Sequence, residues 1–233
     1  MKEVLTRQII VAIDGPAGAG KSTIARRLAQ RFGCLYIDTG AMYRAVALAA
    51  SRSGIDLADD KALSVLAESA SIELTQDGGV WLNGQDIREE IRRPEIGEGA
   101  SRVAVVTGVR AALVRKQQAY GARESVVMEG RDIGSVVFPD ATVKVFLDAD
   151  PQVRAQRRVE ELRAKGQQAS LAEVAEAIGV RDQRDSGRGN SPLTLAPGAV
   201  RVDTSGLTLD EVEAELVRLV EQAQSTSREE SRN

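Results

Sequence analysis

The sequence predicts an α/β fold: a parallel five-stranded sheet with helices on both faces, plus a small antiparallel insert. Two observations carry the sheet. Five short apolar runs alternate with longer helical patterns, as strands do when crossover helices cover both faces. The first run feeds directly into a glycine-rich turn and a helix, the βα connection from which such a sheet is built. A third observation carries the insert. One segment switches to period-two patterning, which belongs to an antiparallel hairpin.

In order, residues 9–13 form the first strand and residues 23–31 a helix that Gly33 stops. Residues 35–37 form the second strand. Residues 72–75 and 80–83 alternate around Asp77-Gly78-Gly79 and make the hairpin. The polar stretch after it, residues 86–93, reads as a cover over a site. Residues 126–128, 143–147 and 199–202 supply the remaining strands. Gly166 stops a helix, while Ser170 with Glu173 and Thr208 with Glu211 start two more as capping boxes. The chain thus divides into a core (residues 1–65 and 107–224), an insert (66–106), a lid (about 154–169) and a disordered tail (225–233).

Composition narrows the function. The chain has 233 residues, 42% of them hydrophobic, enough for one large domain with an insert. A net charge of −3 and 3% aromatic content argue against nucleic-acid binding, which needs basic faces and stacking rings. No apolar run reaches the roughly 18 residues of a membrane span, and the charged opening before a short apolar run predicts no signal peptide. Cys34 has no cysteine partner and fits the cytoplasm as a packed thiol. With no histidine and one cysteine, histidine bases, histidine triads and thiolate zinc clusters are excluded.

Gly15-Pro16-Ala17-Gly18-Ala19-Gly20-Lys21-Ser22, followed by Thr23, matches the G-x-x-x-x-G-K-[ST] phosphate-binding pattern behind a strand and ahead of a helix. Its glycines let backbone N–H groups curl around an anion. Lys21 is expected on the β/γ-phosphates of ATP, and the Ser22 hydroxyl on Mg²⁺. Asp38-Thr39-Gly40-Ala41-Met42-Tyr43-Arg44 and Glu129-Gly130-Arg131-Asp132 stand at two further strand ends, where parallel sheets open onto their ligand crevice. Thr39 suits either a helix cap or a ligand contact. Arg131 and Asp132 suit either an ion pair or a ligand.

Arg154, Arg157 and Arg158 share i, i+3, i+4 spacing, and Arg181, Arg184 and Arg188 gather likewise on one helix face. Two arginine faces flanking a polar link predict closure over anionic oxygens. Together these parts imply phosphoryl transfer. A phosphate acceptor then fits better than a hydroxyl acceptor, because its dianion dominates at neutral pH and needs no base.

Five blocks taken together resemble the bacterial cytidylate kinase family: residues 13–22, 38–44, 130–134, 137–141 and 181–188, within a span of about 9–203. The resemblance implies a P-loop nucleoside monophosphate kinase fold whose insert binds CMP. It implies that ATP, with Mg²⁺, phosphorylates CMP and dCMP. It puts Ser101, Arg110 and Asp132 on the base, and Arg181 and Asp185 on the ribose. Arg44, Arg131 and Arg188 surround the CMP phosphate, with the Thr39 hydroxyl nearby. The resemblance implies Lys21, Arg131, Arg157 and Arg188 as catalytic cations, and among the lid arginines Arg154, Arg157 and Arg158 it leaves open which one meets the transferring phosphoryl group. Thr39 stands where many relatives carry Ser, and Glu129 where many carry Asp. The expected protein is a cytoplasmic monomer that binds neither nucleic acid nor membrane. Two alternatives stay open: a small-molecule kinase for UMP/CMP or a non-nucleotide acceptor, and a nucleotide-dependent switch. A GTP switch would carry an Asn-Lys-x-Asp motif, which the sequence lacks.

Overall fold

All five apolar runs become strands of one parallel sheet in the computed structural model, which describes residues 8–164, 166–187 and 193–230. The chain begins with β1 (Ile10–Asp14), α1 (Lys21–Phe32), β2 (Leu35–Asp38), α2 (Thr39–Arg52) and α3 (Asp60–Ser69). The insert follows as β3 (Ile72–Leu74), β4 (Val80–Leu82), β5 (Gln85–Asp86) and α4 (Pro94–Val103). The chain then returns through α5 (Thr107–Gly121), β6 (Val126–Gly130) and β7 (Val143–Asp148). It ends with α6 (Pro151–Ala164), α7 (Leu171–Ser186), β8 (Val200–Asp203) and α8 (Leu209–Glu230).

The strand order is β2-β6-β1-β7-β8, every pair parallel. β1 is central, and the chain leaves it first toward β2 and later toward β7. That reversal opens a crevice at the carboxyl end of β1.

Period-two alternation sorts the strand residues onto two faces. Val11, Ile13, Val127 and Val145 pack with Ile24 and Leu28 of α1 and Leu216 and Val220 of α8. Ala12, Ile37 and Met128 face Met42 and Val46 of α2 and Leu113 of α5. The hairpin's inward residues Ile72, Leu74, Val80 and Leu82 join this second cluster. A small separate cluster (Ala155, Val159, Val174 and Ile178) holds α6 against α7.

Two elements differ from the sequence expectation. β5 is a third insert strand, reached through Asn83 and Gly84 at φ 49° and 78°. Two residues are too few to show alternation, so the Asn-Gly turn is its only signal. The expected tail is also corrected. Residues 225–230 continue α8, where the Ser225 and Thr226 hydroxyls donate to the carbonyls of Glu221 and Gln222 four residues back. Residues 231–233 lie outside the described residues. Among the described residues no helix is long and apolar enough to cross a membrane.

Candidate active site

β1 hands the chain to the glycine-rich loop at the crevice. A Cβ on Gly15, at φ 144°, would lie 1.9 Å from the Leu147 carbonyl oxygen, so only glycine fits there. Gly20, at φ 89°, caps α1 without a side chain, which leaves the first N–H groups of the helix open to an anion. Lys21 is buried, and its Nζ donates to the Pro16 carbonyl at 2.7 Å. Burial pushes its ammonium down to about 7, with Arg131 and Arg181 adding repulsion against the pull of Glu129 and Asp14.

Glu129, at the end of β6, is buried near Lys21 and accepts from the Tyr36 hydroxyl. Burial and the nearby Asp38 push its carboxyl up, while Lys21 and the Ser22 and Tyr36 hydroxyls oppose that shift.

The loop opens into a cavity of about 1510 Å³. Ala17, Gly18, Ala19, Gly20, Lys21, Ser22 and Thr23 line it, as do Thr39, Arg44, Ser101, Arg110, Arg131, Asp132, Arg157, Arg181 and Asp185. Gly15 and Pro16 lie behind that surface, and Arg188 lies outside the described residues.

The wall formed by α4, α5 and the end of β6 is already paired internally. Arg110 donates to Asp132, both side chains being buried, and its other terminal nitrogen reaches the Tyr43 hydroxyl at 3.3 Å. Ser101 Oγ, buried on the lining of the same cavity, has no hydrogen-bond partner among the described residues. Arg131 and Asp132 do not pair with each other. Arg131 Nε instead donates to Asp185 on α7 at 2.7 Å. Arg44 donates to Asp38 at 2.7 Å. Asp38 also caps α2, accepting from the Ala41 N–H at 3.1 Å. Thr39 is therefore not the cap, and its hydroxyl donates to the Glu129 carbonyl at 2.7 Å.

The arginine clusters need correction. Arg157 and Arg158 both line the cavity, but Arg154 does not join them. Arg154 is buried, donating to the Ala149 and Ala17 carbonyls and pairing with Asp182 at 2.7 Å, so it joins α6 to both the phosphate loop and α7. Arg157 donates to the hydroxyl and carbonyl of Thr204 at 2.9 and 2.6 Å. Arg158 is exposed and pairs with Glu161, both of them on the cavity lining. On α7, Asp185 is buried under Arg131, while Arg181 and Arg184 are exposed along the cavity. Helical spacing predicts which residues share a side. It does not predict how deeply each is drawn into its neighbours.

Sequence reasoning missed two residues at this site. Asp14 is buried at the end of β1 and accepts from the Ile133 and Gly134 N–H groups, both at 2.8 Å. Burial pushes its carboxyl up to about 6, and the charge of Asp132 adds to the shift. Its signal is a lone carboxylate closing an otherwise apolar strand. Thr204 is buried under the phosphate loop, where it receives Arg157. No pattern in the sequence marks it.

The family model for cytidylate kinase matches residues 11–222. A cytidylate kinase of Solibacter usitatus is 51% identical over 222 residues, covering 94% of this chain and 95% of the relative. Another, from Caldanaerobacter subterraneus subsp. tengcongensis, is 50% identical over 202 residues, covering 87% of this chain and 90% of the relative. A crystal structure of an uncharacterized protein from Eubacterium ventriosum shares the fold with a TM-score of 0.50 at 13% identity, covering 92% of this chain and 99% of its own. A nucleotide-sized crevice built on a phosphate loop, with close relatives along nearly the whole chain, leads to one assignment: the chain belongs to the cytidylate kinase family.

Proposed function

We propose that the protein transfers the γ-phosphoryl group of ATP to CMP, and likewise to dCMP, forming CDP and dCDP. The observation that carries this reading is the buried Arg110–Asp132 pair in the same cavity as the phosphate loop, together with a buried Ser101 hydroxyl that has no partner among the described residues. Cytosine offers a donor at N4 and acceptors at N3 and O2. Asp132 accepts from N4 while Arg110 donates to the acceptors. Uracil would turn a carbonyl oxygen toward Asp132 and leave a buried carboxylate facing an acceptor. The cytidylate kinase relatives support the same acceptor.

In this reading Arg181 and Asp185 hold the ribose, and Arg44, Arg131, Arg188 and the Thr39 hydroxyl hold the CMP phosphate. Arg44 and Arg131 exchange their carboxylates for phosphate oxygens, which have similar charge and geometry. Residues 66–106 work as the CMP-binding subdomain and residues about 154–169 as the lid.

The residues beside the loop suit Mg²⁺, which takes oxygen ligands and keeps several waters. The Ser22 hydroxyl lines the cavity near the Glu129 carboxylate. Among the described residues no group of three or more acidic or thiol side chains forms a cage. Ser22 and the nucleotide phosphates would hold the ion, which supplies charge neutralisation along the triphosphate. Polyphosphate binding returns Lys21 to full charge. The CMP dianion attacks without a general base, directly and in line, with no covalent enzyme intermediate. Arg131, Arg157 and Arg188 offset charge on the transferring group. Closure of the α6–α7 arm keeps out water as a competing acceptor.

The proposed enzyme is a cytoplasmic monomer acting on free nucleotides. Light scattering of the purified chain checks the monomer. A panel of nucleoside monophosphates and small alcohols, followed by ADP release, tests the substrate. CMP and dCMP are expected to outpace all others. A UMP or alcohol rate equal to that of CMP would overturn the reading.

A further inference from the structure

Asp14 touches neither substrate in the proposed reaction, yet it is the last residue of β1, next to the phosphate loop, and is 3% exposed. The parallel ladder between β1 and β6 ends with the pair Asp14 and Gly130. Beyond Gly130 the chain bends away through Arg131 and Asp132 into a π-helical turn, Ile133–Val137. Where the backbone ladder stops, the Asp14 side chain takes over. One carboxylate oxygen accepts from the Ile133 N–H and the other from the Gly134 N–H, both at 2.8 Å. The segment has little freedom to shift independently. A Cβ on Gly130 would lie 2.6 Å from the Ile133 side chain and 2.8 Å from the Thr39 hydroxyl.

We propose that Asp14 is a positioning residue for the phosphoryl acceptor: its carboxylate fixes the Arg131–Asp132 segment relative to the phosphate loop. Two adjacent N–H groups need two acceptor oxygens on one rigid plane. A carboxylate supplies both, whereas an amide would turn an NH₂ group against one donor. The negative charge also suits N–H groups that open a helical turn. The inference rests on the CMP-kinase reading, because Asp132 and Arg131 are its acceptor-side residues.

The test is Asp14→Asn in the full chain. The KM for CMP should rise about tenfold, the effect of one buried hydrogen bond lost. The KM for ATP should stay within about twofold, since the glycines set the loop. Amide exchange resolved by NMR should show the Ile133 and Gly134 N–H groups protected in the nucleotide-free wild type and exposed in the variant. If Asp14→Asn is not recovered folded, Asp14→Ala and the wild-type exchange data decide. Equal changes in both KM values, or fast exchange of these two amides in the wild type, would overturn the proposal. A wild type inert toward CMP would overturn the functional reading and this inference with it. An active wild type with equal KM shifts in the variant would overturn the inference alone.

Discussion

The phosphate loop and the α6–α7 arm both present positive groups to one cavity, but they are built in opposite ways. The loop is made of backbone. Gly15 and Gly20 fix its path, α1 points its N–H groups at the opening, and Lys21 is buried within it. The arm is made of side chains carried on two helices with a four-residue core of their own. Its arginines have separate fates: Arg154 is drawn under the loop, Arg157 is held on Thr204, and Arg158 is an exposed cavity-lining residue paired with Glu161. A backbone site is complete once the chain folds. A side-chain site depends on which partner each residue finds, so its members have to be tested one at a time.

The largest expected effect lies in the loop. Lys21→Met should lower kcat by ~10³-fold, the scale of removing a preorganised charge from a phosphoryl-transfer site. The nucleotide-free variant should melt no lower than the wild type, because burial already opposes the ammonium charge. Coupled-assay kinetics and calorimetry check the two halves. A large fall in melting temperature would mean that Lys21 holds the loop together through its bond to Pro16, which would break the contrast between a finished loop and a dependent arm.

Next comes the acceptor wall. Asp132→Ala should raise the KM for CMP by ~10²-fold with little change for ATP, since it leaves a base edge unread. It also leaves Arg110 buried without its carboxylate, a change that costs ~3 kcal/mol or more in stability. Urea unfolding measures that loss. The double variant Arg110→Met, Asp132→Leu should recover stability without recovering CMP binding. Recovery of both would remove the pair from the substrate site.

The loop is legible in the sequence because its requirements are local. A strand, glycines at fixed spacing, Lys21, Ser22 and a helix start all sit in one short stretch. The five strands are legible for the same reason. The Arg110–Asp132 and Arg131–Asp185 pairs are not, since nothing in residue spacing tells which arginine meets which carboxylate across 22 or 54 positions. The family resemblance supplies the residues but not these pairings. In the arm, helical spacing does not carry over into common exposure, because packing draws Arg154 inward and leaves Arg158 outside. Asp14 lies within the block 13–22, but its role is not legible there because its partners are peptide N–H groups, which every residue but proline carries.

A smaller effect probes the junction between loop and acceptor wall through pH. The folded-state pKa of Asp14 is about 6 against an ordinary 3.8, chiefly because of burial, with Asp132 adding to the rise. Between those values the folded chain holds a proton that the unfolded chain has lost. Stability from this group therefore rises as pH falls from 6 toward 4 and is lost as pH rises through 6. The stability of the wild type relative to Asp14→Asn should rise over that window by about 3 kcal/mol at most. Urea titrations at pH 7 and pH 4.5 read the difference. A constant difference would mean that the two peptide N–H groups keep Asp14 ionised despite its burial.

The smallest effects separate Arg157 from Arg158, which are neighbours in sequence on the same helix. Arg157 makes two bonds to Thr204, whose hydroxyl lies 3.4 Å from the Ala19 carbonyl, so its guanidinium is held against the phosphate loop. Arg158 is 46% exposed and its partner Glu161 is 47% exposed, an i, i+3 surface pair worth ~0–1 kcal/mol. Arg157→Ala should lower kcat about tenfold, and Arg158→Ala should leave it within about twofold. The reverse order would mean that Arg158, which also lines the cavity, leaves Glu161 for the phosphates when nucleotide binds, while Arg157 stays on Thr204. A rotation of α6 as a whole is disfavoured, because it would drag Arg154 from the Ala17 carbonyl, and Arg154 packs so closely on Gly18 that a Cβ there would lie 3.0 Å from the Arg154 Cβ. The base of α6 is therefore held to the loop, and the difference between Arg157 and Arg158 comes down to the partner each side chain has.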